Sequence, residues 1–357
     1  MKRFKSSDII AIRRNLLNWF EISQRDLPWR RTYNPYHVWI SEIMLQQTQV
    51  KTMVPYFERW MTTLPTITSV AEADEQVLLK LWEGLGYYSR VRNIQKAARM
   101  IVNEFNGQFP SNHSDILHLP GVGKYTAGAI ASIAFNQVYP VVDVNVIRVI
   151  ARLLNFDGNT KESKNIERMW KRAGELLPSD SRNFNQAMME LGALICKPKN
   201  PSCSFCPVQK FCSSFKAGTM NDLPHRGEKK KITSLQIAVA VIRKDNKVFI
   251  QKRPSRGLMG GLWEFPGGKI EKGESAKKAL SREIQEELSV TIKNIHPIIK
   301  IKHAYTCFKV DLHCFSADYD AGSIKLNSAT QGKWVEFEKL SEYPFPAANV
   351  RLIQQLQ

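Results

Sequence analysis

Four cysteines, Cys196, Cys203, Cys206 and Cys212, fall within one short loop with gaps of six, two and five residues between them. Thiolates converging from such a loop suit a tetrahedral Zn²⁺ or an iron–sulfur cube. Two disulfides would need an oxidising compartment, and the stretch from Met1 to Phe20 is broken by Arg13, Arg14 and Asn15, which is not the pattern of a secretory leader. Buried core cysteines would not be interspersed with Lys197, Pro198, Lys199, Pro201, Pro207 and Lys210. Zinc sites commonly pair two tight knuckles. This loop has one, Cys203 with Cys206, so the spacing favours a four-iron cluster.

Three further groups of residues could do chemistry. Glu42 sits among Trp39, Ile40, Ile43 and Met44, company that raises a carboxyl pKa and keeps a proton available for donation. Asp143 lies in the apolar run Pro140-Val-Val-Asp-Val-Asn145, where the Asn145 amide could orient it. A protonated acid and an ionised carboxylate are what cleavage of a glycosidic bond requires. Spacing alone leaves open a helix-capping Asp143 and a surface Glu42. The second group is the string Leu119-Pro-Gly-Val-Gly-Lys-Tyr-Thr-Ala-Gly128. Gly121 and Gly123 permit a tight turn at a helix N-terminus, whose amides, with Lys124 beside them, can receive a phosphate oxygen. A helix-hairpin-helix of this kind holds a DNA backbone without reading sequence. In the third group, Glu283, Glu286 and Glu287 share one helix face, an arrangement that suits Mg²⁺ between protein and a diphosphate; a solvated acidic face is the alternative.

Two kinds of scaffold must position these groups. Up to about residue 220 the apolar residues recur at helical spacing, as in Ile9 to Phe20, Val38 to Gln49, Asp74 to Leu85, Arg90 to Phe105 and Asn183 to Ile195. A basic stretch from Pro224 to Lys231 reads as a linker, and short β-rich runs follow, Gln236 to Ile242 and Lys247 to Gln251, around the turn Asp245-Asn246. A helix over Ser275 to Leu288 and further strands such as Phe308 to Phe315 complete an α+β module. The expected organisation is a helical domain over 1–222, a linker over 223–233 and an α+β domain over 234–357. A chain of 357 residues accommodates about two domains. Its net charge of +18 favours a nucleic-acid partner, although charge alone does not separate DNA from RNA or an anionic membrane. No stretch reaches the length of a membrane span, so a soluble, cytoplasmic, monomeric protein is expected.

These strings, together with Leu27-Pro-Trp-Arg30, Leu81 to Asn93, Phe184 to Cys196 and the cysteine loop, resemble the adenine DNA glycosylases of the endonuclease III superfamily over nearly the whole chain. The resemblance implies a multidomain fold, an all-α helix-hairpin-helix DNA glycosylase carrying a [4Fe-4S] cluster on Cys196, Cys203, Cys206 and Cys212. It implies a base excision repair enzyme working at the bacterial nucleoid. Such an enzyme flips adenine mispaired with 8-oxoguanine or guanine out of double-stranded DNA and hydrolyses its N-glycosidic bond. By this resemblance Glu42 is the general acid toward adenine N7, Asp143 stabilises the positive sugar, Asn145 supports Asp143 and Tyr125 assists. Gln47 and Tyr87 enter the base stack around the 8-oxoguanine, Arg30 lies near the flipped adenine, and Gly121, Gly123 and Lys124 meet the DNA. Endonuclease III relatives that cleave the strand place a Schiff-base lysine where this chain has Tyr125, so a monofunctional glycosylase is expected. The family's Asp-Gly-Asn reads Asp143-Val144-Asn145 here; Val144 would strain that loop if the position demanded a glycine-only conformation. A different mismatch specificity within the superfamily is the nearest alternative.

In the second module, Gly268-x₅-Glu274-x₇-Arg282-Glu-Ile-Gln-Glu-Glu287 fits the Nudix box, with Ser289 where the motif prefers glycine. Phe345-Pro-Ala-Ala-Asn349 resembles the segment with which MutT-like domains read 8-oxoguanine, and His303-Ala-Tyr305-Thr306-Cys307 resembles a lesion-sensing segment. The resemblance thus implies a Nudix-like domain that recognises the lesion base through Tyr305, Thr306 and Asn349. Pyrophosphate hydrolysis of an 8-oxo-dGTP-like nucleotide with Mg²⁺ at Glu283, Glu286 and Glu287 is the alternative for this module.

Overall fold

The structure, a computed structural model, describes residues 4–227, 233–305 and 308–356. The chain divides into two compact units. One holds the residues up to Glu72 and from Asn93 to the linker; the other holds Ala73–Arg92 and the residues beyond the linker. The segment Ala73–Arg92, whose first helix ends at Leu81 where the periodicity runs on to Leu85, therefore packs with the C-terminal α+β residues.

The helices run α1 (Ser6–Ser23), α2 (Pro35–Met44), α3 (Val50–Thr63), α4 (Ile67–Glu72), α5 (Glu75–Leu81), α6 (Ser89–Glu104), α7 (His113–His118), α8 (Lys124–Ile133), α9 (Val144–Leu153), α10 (Ser163–Leu176), α11 (Ser181–Leu194) and α12 (Ser213–Ala217). In the first unit, α1, α9, α10 and α11 bury Ile12, Leu16, Phe20, Val149, Met169, Phe184 and Leu191 against one another. Helix α2 starts at the Asn34 side chain, which accepts from the amides of Tyr36 and His37, and at Pro35, whose fixed φ suits a first turn. It ends at Met44, earlier than the periodicity suggests, because the backbone turns left-handed at Gln47 (φ 61°) before α3 begins. Helix α8 is buried from Thr126 to Ile133 and packs against α2, α7 and α11.

In the second unit the described residues form one seven-stranded mixed sheet. Its strands are β1 (Thr233–Lys244), β2 (Lys247–Lys252), β3 (Trp263–Glu264), β4 (Gly267–Lys269), β5 (Val290–Ala304), β6 (Phe308–Gly322) and β7 (Gln331–Glu336). The order is β3-β2-β1-β6-β5, with β4 on β1 and β7 on β2; β1 and β6 run parallel and the other pairs antiparallel. Alternation along β1 sends Ala238, Ala240 and Ile242 to one face, where they meet Ala279, Leu280, Ile284 and Leu288 of α13 (Ala276–Leu288). Val239 and Val241 go to the other face, toward Leu352 and Ile353 of α14 (Ala347–Leu356). A sheet covered by one helix on each face is the α+β module expected.

Candidate functional site

The first unit holds a cavity of about 930 Å³ lined by Arg25, Arg30, Glu42, Tyr125, Asp143 and Glu190, among others. It is large enough for a nucleoside. Glu42 comes from the last turns of α2 and is 3% exposed. Its Oε2 accepts a hydrogen bond from the Tyr125 hydroxyl at 2.7 Å. Burial raises the Glu42 pKa from its ordinary 4.5 to about 7, the Tyr125 bond and Arg30 working against that and the negative charge of Asp143 adding to it. Tyr125 itself is held well above its ordinary pKa, by burial first and by the two carboxylates second, so its hydroxyl remains a donor. A surface Glu42 is thereby excluded. The side chain is a buried acid that carries its proton close to neutrality.

Asp143 is the N-cap of α9: its Oδ1 accepts from the amides of Asn145 (2.9 Å) and Val146 (2.7 Å). Asn145 Nδ2 donates to the second oxygen at 2.7 Å. Burial raises its pKa, while these donors and Arg148 favour the anion. Capping and a role in the cavity therefore coincide in one residue. Val144 is the first helical residue, is 61% exposed and has no left-handed φ, so the strain a glycine-only position would impose is absent.

Asn145 Oδ1 accepts from Arg148 Nη2 at 2.8 Å, and Arg148 Nε donates to the Cys196 carbonyl at 2.7 Å. Gly192 allows this proximity, since a Cβ there would sit 2.6 Å from Asn145 Cβ. Arg152, 1% exposed, donates to the Cys196 sulfur (3.3 Å) and to the carbonyls of Lys197, Pro198 and Leu223. One continuous set of hydrogen bonds thus runs from Asp143 to the cysteine loop.

Cys196, Cys203, Cys206 and Cys212 all line one small cavity. Among the described residues, no group of three or more His, Cys, Asp or Glu is close enough to hold a single ion. Burial raises the pKa of Cys196 and Cys203 and pushes Cys206 up to about 12, opposed by Arg152 at Cys196 and by the Val208 backbone at Cys206. The all-sulfur donor set around one cavity fits an iron–sulfur group, whose cationic charge would favour the thiolate form.

Sequence reading missed two residues of the main cavity. Glu190, 1% exposed on α11, accepts from Arg25 Nε (2.6 Å), Arg25 Nη2 (2.8 Å) and Arg30 Nη2 (3.0 Å). Burial opposes its ionisation, but the two guanidiniums prevail and hold its pKa at about 2. A glutamate among the apolar residues of Ala187-Met-Met-Glu-Leu191 was the available signal. Arg30 also lies over the Phe20 ring at 5.5 Å.

In the hairpin, Gly121 is left-handed (φ 78°), and a Cβ on it would stand 2.6 Å from that of Asn93. Gly123 is the N-cap of α8 and faces open space. The Lys124 ammonium lies over the Trp170 ring at 4.4 Å. Gln47 is exposed at its left-handed turn; Tyr87, in the second unit, is 41% exposed at another (φ 48°).

In the second unit, Tyr305 is pushed up to about 12 by burial, with its hydroxyl against the Ala348 amide. Asn349 is 6% exposed and its Oδ1 accepts from Phe265 N at 3.2 Å. Thr306 and Cys307 lie outside the described residues. The acidic face of α13, the alternative Mg²⁺ site of this module, is laced with hydrogen bonds. Arg282 binds Glu274 (2.9 Å), Glu283 (2.9 Å) and Glu286 (3.1 Å), while Glu287 accepts from Gln251, Gly267 N and Ser328. Arg282 is thus the counter-cation of three of these carboxylates, and Glu286 remains largely exposed.

A helical unit with a glycine hairpin, a buried proton donor and a capped carboxylate in one cavity defines a helix-hairpin-helix DNA glycosylase. Residues 40–175 match the family model "HhH-GPD superfamily base excision DNA repair protein" and residues 238–355 the NUDIX domain model. The adenine DNA glycosylase of Rattus norvegicus is 33% identical over 389 residues, covering 93% of this chain and 75% of that protein. That of Buchnera aphidicola from Schizaphis graminum is 39% identical, covering 70% and 73%. A solved thermostable thymine-DNA glycosylase superposes with TM-score 0.54 at 30% identity, covering 59% of this chain and 98% of that one. Endonuclease III in a trapped covalent complex with DNA shares the fold, with TM-score 0.52 at 24% identity, covering 60% and 99%. The chain belongs to the adenine DNA glycosylase family. It is a DNA-binding base excision repair glycosylase with a C-terminal Nudix-like domain.

Proposed function

We propose that this enzyme hydrolyses the N-glycosidic bond of adenine opposite 8-oxoguanine in duplex DNA, as a monomer and without a covalent amine intermediate. The observation that carries the proposal is Glu42, a fully buried carboxyl with a pKa of about 7, bonded to Tyr125 in the cavity that Asp143 also lines. A flipped adenine needs a proton on its ring nitrogen to leave, and Glu42 is the group that holds one near neutral pH. Asp143, with its anionic form supported by two amides and Asn145, faces the cationic sugar that remains. Glu190, both of whose oxygens are taken by Arg25 and Arg30, fixes those two guanidiniums at the cavity wall.

Position 125 carries a phenol and no amine, so water rather than the protein takes the sugar carbon as the base leaves, and the strand stays uncut. The four cysteines hold a [4Fe-4S] cluster that shapes the loop following α11; when bound it supplies structural rigidity, and the proton transfer belongs to Glu42. The hairpin at Gly121 to Lys124 grips the phosphates, Gln47 and Tyr87 enter the stack, and Tyr305, Thr306 and Asn349 read the lesion. Base release under single-turnover conditions, from duplexes carrying A, G or T opposite 8-oxoguanine or guanine, tests this reading. Preferential release of adenine opposite 8-oxoguanine is expected, and excision of another base without adenine release would refute it.

A further inference from the structure

Tyr87 stands on a turn that its own unit holds from several sides. Gly84 (φ 97°), Gly86 (φ 67°) and Tyr87 (φ 48°) are all left-handed, the last without glycine's freedom. Trp82 Nε1 donates to the Gly86 carbonyl at 3.0 Å, and Arg90 Nη2 donates to Leu85 O (2.8 Å) and Gly86 O (3.1 Å). The Arg90 guanidinium lies 5.2 Å from the Trp82 ring and 5.7 Å from the Tyr87 ring. A side chain on so constrained a turn takes its position from whatever anchors the turn.

That anchor lies among the C-terminal residues of the same unit. Gln76 Oε1 accepts from Trp263 Nε1 at 2.9 Å, and Arg92 bonds Glu75 and the Gly260 carbonyl. Lys80 Nζ donates to Glu83 Oε2 (2.8 Å) and to Tyr343 O (3.0 Å); Glu83 Oε1 accepts from Phe345 N at 2.7 Å. Phe345 opens the string Phe345–Asn349, and Pro346 after it has no amide hydrogen. Glu83 therefore fastens the Tyr87 turn to the head of the segment that ends in Asn349, through a charge-assisted hydrogen bond.

We propose that Lys80 and Glu83 form a latch that positions Tyr87 for the lesion, making insertion of Tyr87 and reading of the 8-oxoguanine by the C-terminal residues one mechanical event. Both are positioning residues that act through Tyr87. The proposal rests on the reading above for what Tyr87 does on DNA.

The test is a double-mutant cycle. Single-turnover adenine release is measured on 8-oxoguanine:adenine and guanine:adenine duplexes for wild type, Glu83→Ala, Tyr87→Ala and the double variant. Glu83→Ala is expected to lower the preference for the 8-oxoguanine duplex roughly tenfold, the scale of coupling between groups in contact, while guanine:adenine cleavage stays at the wild-type rate. The double variant is expected to be no worse than Tyr87→Ala alone. Glu83→Gln, which keeps an oxygen for Phe345 N, should restore most of the preference. Multiplicative losses in the double variant, or equal losses on both duplexes, would overturn the latch. Hydrogen exchange of the free protein decides it independently of specificity: Glu83→Ala should speed exchange both at Phe345 and across Leu85 to Arg90, and a change confined to Phe345 would count against it. A wild type with no preference for 8-oxoguanine would instead refute the functional reading, leaving the exchange result to judge the latch.

Discussion

Replacing Glu42 with Gln keeps an oxygen for the Tyr125 hydroxyl but removes the proton that the leaving base needs. The same change should stabilise the protein as the solution becomes alkaline. Glu42 titrates near 4.5 when unfolded and near 7 when folded. Below pH 4.5 both states are protonated and the fold bears no penalty. As the pH rises from 4.5 to 7 the unfolded chain gains from ionisation while the buried acid cannot, so wild-type stability falls. Above 7 the loss levels off at about 3 kcal/mol, from 1.36 kcal/mol per pH unit. Glu42→Gln has no such term. Chemical unfolding of both proteins from pH 5 to pH 8.5, together with single-turnover adenine release, measures the effect. The advantage of the variant should grow by about 2 kcal/mol or more across that range, and base release should be abolished. Wild-type excision should also fall as the pH rises through about 7. Parallel stability curves, or full excision by Glu42→Gln, would refute both the burial argument and the acid assignment.

Borohydride reduction during turnover should trap no more protein on DNA in the wild type than in Glu42→Gln, because Tyr125 has no amine; efficient trapping would contradict the role given to that position. The protein should contain about four irons and matching sulfide per chain, whereas stoichiometric zinc in a colourless protein would overturn the cluster while leaving Glu42 and Asp143 in place. Arg148→Ala should cost about 3 kcal/mol by stranding the Cys196 and Gly192 carbonyls, hasten iron loss to a chelator and slow excision. Wild-type iron retention with wild-type rates would show that the bonds joining Asp143 to the loop are incidental.

Strings that carry local chemistry were legible in the sequence. The hairpin glycines and the cysteines sit in a turn and a loop as their strings implied, whereas spacing left open whether Glu42 is buried and whether Asp143 caps a helix, and the fold makes both true. What escaped depends on partners remote in the chain. Glu190 becomes a site residue only because Arg25 and Arg30 reach it from more than 150 positions away, and Ala73–Arg92 packs with the C-terminal residues through side chains that look like an ordinary helix surface. The left-handed turn at Gln47 interrupts a run whose periodicity continues to Gln49, and that at Tyr87 falls between two runs; neither residue type announces a positive φ. The acidic face of α13 was visible as three glutamates on one helix side, but their pairing with Arg282 and the bonds of Glu287 to Gln251 and Ser328 depend on the fold.

Because Asp143 caps α9, mutation can remove its charge in two ways that a cell would experience differently. Alanine loses the cap, at about 1 kcal/mol, and exposes the chain to quality control. Asparagine also caps, so Asp143→Asn would keep the bonds from the two amides to one oxygen but turn an NH₂ group toward Asn145 Nδ2, which donates to the other. The substitution that looks mildest at this position would thus disturb the bonds that continue through Asn145 and Arg148 to the cysteine loop, whereas alanine would disturb the helix start.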